Sequence, residues 1–293
     1  MLSSVAGAIV ATLTCSIALW AQDPQQSKSA TGNQPSFVKY LPDEGAQAAW
    51  EEMTALQMSP DTALPAMAKE LIGLGVAAQV PCRYCIYAHT QFAKHAGAGD
   101  REVREAIAVA AITRHWSTVA NGMQIDPAVF DKEIQQIFTY MKKGPPQGQG
   151  QPVTDAQSAY KDIERTFGMV PTFMRQFPQA GIAAAWRELK SVELNPQTAL
   201  PAKIKDLIAL AVAAQIPCKY CVTFHTGAAK LDGATDEEIK EAVAMAALTR
   251  HWSTVINGAM PDEAQFRREI DQLVKQMPRP EAKQVPSQPH AQR

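Results

Sequence analysis

Apolar residues recur at three- and four-residue intervals along most of this chain, separated by short stretches of Gly, Pro and polar side chains. From Leu64 to Val80, the spacing of Met67, Leu71, Leu74, Ala77 and Ala78 predicts a helix that holds Pro65 in its first turn and stops at Pro81. Cys82 opens a second helix, which runs to about Ala96 and is ended by Gly97-Ala98-Gly99. Asp100 is the expected cap of a third, with Val103, Ile107, Ala110 and Ala111 as its apolar stripe. A fourth runs from about Pro127 through Phe130, Ile134, Ile137 and Phe138 to Met141. Alternating runs rich in Val and Ile are absent, so the expected fold is all-α.

The same pattern occurs twice. A shift of 136 positions aligns Ala63-Leu64-Pro65 with Ala199-Leu200-Pro201, Pro81-Cys82 with Pro217-Cys218, and Thr113 to Thr118 with Thr249 to Thr254. Trp50 then falls on Trp186 and Phe37 on Phe173. Solenoid repeats have periods of about 20 to 50 residues, so a repeat this long is a duplicated domain. The expected organisation is a domain over 37–142, a Gly/Pro/Gln linker over 143–154, a second domain over 155–278 and a disordered tail over 279–293. The two halves are expected to pack against one another. Trp50 and Trp186 read as core, as do His115 and His251 beside their tryptophans, while Ser117, Thr118 and Asn121 read as helix-end or interface groups and His95 as a surface residue.

Composition narrows the class. The chain has 293 residues, is 46% hydrophobic, and sets 28 Lys plus Arg against 29 Asp plus Glu with no basic run, which argues against a nucleic-acid partner. Residues 1–21 carry an uncharged apolar stretch that reads as an export signal, with a membrane anchor as the alternative, and 22–36 read as a disordered linker. The expected location is therefore periplasmic or extracellular. Apart from Cys15 in that stretch, the cysteines form two Cys-x-x-Cys pairs, and a staple over so short a loop constrains little chain entropy, so redox chemistry or metal binding is the better reading.

Each pair extends to Cys-x-x-Cys-x-x-x-His: Cys82, Cys85 and His89 in the first copy, Cys218, Cys221 and His225 in the second. Positions i, i+3 and i+7 of a helix share a face, which points both thiols and the imidazole the same way. The helix N-terminus favours a thiolate at Cys82, and His89 favours one at Cys85, so spacing leaves open which sulfur attacks. Twelve positions before the first cysteine stands Glu70, and before the second pair Asp206. Each carboxylate either orients the histidine and relays a proton or is a surface charge beside Lys69 or Lys205.

This acid, dithiol and histidine pattern, with the downstream block Arg114 to Gly122 and its copy Arg250 to Gly258, resembles the alkylhydroperoxidase D-like branch of the carboxymuconolactone decarboxylase family. The resemblance spans roughly 40–142 and 155–278 and implies a tandem of two helical domains. It further implies a thiol peroxidase in which Cys85 attacks the peroxide, Cys82 resolves the product, and Glu70 and His89 relay the proton. Cys221, Cys218, Asp206 and His225 would serve the second copy in the same roles. Two departures stand out: Arg83-Tyr84 and Lys219-Tyr220 lie between the cysteines where the best-known member has a histidine, and Asp206 is one methylene shorter than Glu70. The cations could favour thiolates, and the first site is ranked as the more active.

The expected partners are a hydroperoxide substrate and a thioredoxin-like or other dithiol reductant, with no cofactor and no metal. Homo-oligomers, including a trimer of tandem chains, are the assembly the resemblance implies. The competing readings are a carboxymuconolactone decarboxylase-type lyase, against which the dithiol argues, and a non-enzymatic zinc-binding or disulfide-stapled protein.

Overall fold

Pro65 and Pro201 have extended backbones and end the loops before the two most buried helices, α2 (Ala66–Gln79) and α9 (Ala202–Gln215). A computed structural model of the chain describes residues 34–144 and 151–279. The sequence predicts α2 within a residue or two, but the apolar stripe understates it: every residue from Ala68 to Ala77 is buried, so α2 is a central helix and not one packed on a single face. α9 packs directly on it. Gly75 makes room for that contact, because a Cβ there would lie 2.9 Å from Ile208 Cγ2.

From the central helix onward the helices follow in the same order in each copy. The first copy opens with a 3₁₀ turn (Ser36–Tyr40), α1 (Asp43–Met53) and a π-turn (Thr54–Met58), and continues after α2 with α3 (Arg83–His95), α4 (Asp100–Gly122) and α5 (Pro127–Lys142). The second has α6 (Ala156–Phe167), α7 (Thr172–Arg175) and α8 (Gln179–Val192), then α9, α10 (Lys219–Leu231), α11 (Asp236–Ala259) and α12 (Glu263–Gln276). Twelve α-helices and no strand occur among the described residues. Gly99, not Asp100, caps α4, its N–H donating to Glu102 Oε2 at 3.0 Å.

The last helix of each copy crosses to the other, and α4 and α11 each pack on both α2 and α9. α11 packs on α2 and α3, and α12 on α3; reciprocally, α4 packs on α9 and α10, and α5 on α10. The core around α2 thus takes Trp252, Ile256, Phe266 and Ile270 from the second copy. Two buried ion pairs cross in the same way, Lys69 to Glu241 at 3.9 Å and Lys205 to Glu105 at 3.6 Å. Glu241 also accepts the Leu64 N–H at 2.9 Å, and Glu105 that of Ala199 at 2.7 Å.

These lysines are not surface neighbours, since both are essentially inaccessible. Lys69 Nζ donates to Leu56 O, Ser59 O and Thr62 Oγ1, and Lys205 Nζ to Val192 O, Asn195 O and Thr198 Oγ1, which meets the need of a buried ammonium for partners. Trp186 is core as expected, whereas Trp50 is only part-buried. The expectation of packed histidines fails: His115 and His251 are exposed. Each lies one position along the helix from a buried tryptophan, which turns its side chain to the outer face. Thr118 and Asn121 bond back to the carbonyls of Arg114 and Ser117 in their own helix. The apolar segment of residues 1–21 and the tail beyond 279 lie outside the described residues. No described helix is long and apolar enough to cross a membrane.

Candidate functional site

Cys82 caps α3 from just outside it, its Sγ accepting the Cys85 N–H at 3.2 Å, and Cys218 caps α10 in the same way. Each is joined to its partner in a disulfide, with Cα–Cα separations of 5.3 and 5.4 Å. Because Cys82 stands at the cap and not in the first turn, the predicted common face does not include it. Cys82 is fully buried, while Cys85 lies on the wall of a cavity that it shares with His89 and Glu70. The asymmetry recurs with Cys218 and Cys221.

One turn beyond Cys85, His89 Nδ1 lies 2.7 Å from Glu70 Oε2. Gln57 Nε2 donates to both oxygens of the same carboxylate, at 3.1 and 3.2 Å. Glu70 is therefore buried and fixed by two neighbours, which excludes the reading of it as a surface charge. A carboxylate at Nδ1 selects the tautomer with its proton there, leaving Nε2 as an acceptor. Nε2 lies 3.4 Å from Thr249 Oγ1, on α11 of the other copy. Gly73 allows this packing, since a Cβ at that position would overlap the His89 ring.

The second site repeats the frame with different chemistry. His225 Nδ1 lies 3.0 Å from Asp206 Oδ1. Glu193 stands where the register has Gln57, and Ala209 where it has Gly73. Burial opposes charge on His225, but its hydrogen bond to Asp206 and the nearby charges of Glu193 and Asp206 outweigh that and hold the imidazole above its ordinary range. Burial pushes Glu193 up to about 7, with Asp206 adding to the rise and His225 and Lys205 opposing it. The structure thus brings together all four predicted residues of each copy. Gln57, Gly73 and Thr249 in the first site, and Glu193 and Thr113 in the second, complete sites that the motif alone did not outline.

Both cavities are apolar apart from these groups. Phe37, Trp50 and Met53 meet Leu248, Trp252 and Phe266 of the other copy in the first. Phe173, Met174 and Leu189 meet Ile112, Trp116 and Phe130 in the second. Arg83 is not directed at a sulfur: its guanidinium lies 3.2 Å from Glu263 and packs over the Tyr84 ring. Among the described residues, with both cysteine pairs in disulfides, no group of three or more His, Cys, Asp or Glu side chains is placed to hold a metal ion.

Comparison with known proteins agrees with the repeat. The profile of the carboxymuconolactone decarboxylase family matches residues 44–125 and again 180–260, over half of the chain. The chain belongs to this family, as a tandem member. It is similar to an uncharacterized protein of Cupriavidus necator, 35% identical over 92 residues, which are 31% of this chain and 76% of that protein. It is also similar to uncharacterized protein 4 in the cox locus of Paracoccus denitrificans, 44% identical over 52 residues, 18% of this chain and 47% of that one. No solved structure matches the chain.

Proposed function

We propose that the protein is a thiol-dependent hydroperoxide reductase. The observation that carries this reading is the position of Cys85, on the wall of an apolar cavity beside an imidazole clamped by Glu70, with Cys82 buried behind it as its disulfide partner. His89, with Nδ1 engaged by Glu70, takes the Cys85 proton at Nε2. The thiolate attacks the terminal oxygen of the hydroperoxide: an S–O bond forms, the O–O bond breaks, and the leaving alkoxide takes the proton to become an alcohol. Cys82 then attacks the sulfenic acid, forming the disulfide and releasing water. An external dithiol, of the thioredoxin-like class, returns two electrons by exchange. The apolar walls favour an organic hydroperoxide over hydrogen peroxide.

Reduced protein is expected to consume an organic hydroperoxide as the Cys82–Cys85 disulfide forms, and Cys85→Ser to lose the first-site reaction. Undiminished first-site turnover in Cys85→Ser, with Cys218 and Cys221 also replaced by Ser, would contradict the assignment.

A further inference from the structure

Among the differences between the two sites are three around the acid that holds the histidine: Gln57 becomes Glu193, Glu70 becomes Asp206 and Gly73 becomes Ala209. In the first site the Gln57 amide donates to the one carboxylate, which lines the cavity and holds His89. In the second, Asp206 is not part of the cavity wall, and Glu193 is, beside Cys221 and His225. The added methyl of Ala209 prevents His225 from lying against its helix as His89 does.

We propose that Glu193 is the carboxylate that carries the proton for Cys221 at the second site, with Asp206 left to orient His225. The proposal rests on the thiol-peroxidase reading. Glu193 Oε1 is shielded from solvent and has no hydrogen-bond partner, so no structural hydrogen bond accounts for it. Glu193 is also the C-cap of α8, where the carbonyl end of the helix opposes a negative charge. A glutamine, as in the first copy, would avoid both costs. Titratable groups that face it are His225, Asp206, Lys205 and Glu188, and its ionisation near 7 suits a group that takes and returns a proton at neutral pH. The proton leaves the Cys221 thiol for Glu193, which shares the cavity wall with it, and returns to the alkoxide as the S–O bond forms and the O–O bond of an organic hydroperoxide breaks. Cys218 then closes the disulfide with loss of water. The second site is thus a rebuilt relay and not a weakened copy.

The test uses the full chain with Cys82→Ser and Cys85→Ser, reduced, with cumene hydroperoxide as substrate and iodoacetamide as a separate probe of the Cys221 thiolate. Glu193→Gln is expected to slow single-turnover oxidation of Cys221 by about a hundredfold. It should also remove the inflection near pH 7 from the alkylation profile, whereas Asp206→Asn slows the reaction less and keeps that inflection. Adding Asp206→Glu and Ala209→Gly to Glu193→Gln copies the first site's acid and its surroundings at these three positions and should restore most of the rate. Rate and profile unchanged in Glu193→Gln, or an inflection lost in Asp206→Asn and kept in Glu193→Gln, would overturn the proposal. Alkylation needs no peroxide, so it decides the role of Glu193 even where a failure to consume hydroperoxide sinks the peroxidase reading.

Discussion

At Gly73 a single hydrogen atom decides whether His89 can sit against α2 within reach of Glu70. Gly73→Ala should displace the imidazole and slow Cys85 oxidation by about a hundredfold while leaving Cys221 unaffected. Combining it with Glu70→Asp, which imitates the second copy, should recover part of the rate; site-resolved peroxide kinetics measures both. Glu193 gives a second test at this scale, through stability. Its folded pKa of about 7 lies above the unfolded carboxylate range, so the native state holds a proton that the unfolded chain releases. The contribution is fully present below the unfolded pKa and is lost as pH rises through about 7. His225, also raised, acts in the same direction; in the variant it keeps the part of its rise that Asp206 supplies and loses the part due to the Glu193 charge. Glu193→Gln should therefore gain on the parent between pH 5 and 8, by roughly 1–3 kcal/mol at the upper end, read from denaturant midpoints at each pH.

Among the elements, the breakers were legible because they act locally: Pro65 and Pro81 bracket α2, and Pro127 starts α5. The burial of Lys69 was not, because its partners are two carbonyls and a hydroxyl 7 to 13 residues back, in a segment with no regular pattern, and a glutamate from the other copy. Breaking that arrangement has a specific cost. Lys69→Met leaves Glu241 buried and uncompensated, and should destabilise the fold by about 3–5 kcal/mol. Calorimetry should show a clear fall in Tm for Lys69→Met and recovery in a double variant with Glu241→Leu, limited by the lost acceptor for Leu64 N–H.

Across the whole molecule, duplication was legible in the register from Phe37 onward, and the dithiol and histidine of each site could be named from spacing, the acid only from the family resemblance. The crossing of α5 and α12, and the sharing of α4 and α11 between copies, could not, since a repeat reads the same whether each copy closes on itself or on its neighbour. For that reason Thr249, in the second copy, was not visible as part of the first site, nor Thr113 as part of the second. Gln57 carried a signal that comparison of the copies exposes, a neutral side chain aligned with a carboxylate at Glu193. The crossing has a signature of its own. Thr249→Val should slow Cys85 by roughly three- to tenfold and leave Cys221 unchanged, and Thr113→Val should do the reverse, in rates resolved by mass spectrometry.

The central claim is that the cysteine on the cavity wall reduces the peroxide, and trapping its first product tests this most directly. Protein carrying Cys82→Ser and Cys218→Ser, treated with one equivalent of organic hydroperoxide and dimedone, should show the sulfenic-acid adduct on Cys85 and Cys221 with matching loss of peroxide. Peroxide left unconsumed, with both thiols free, would contradict the account.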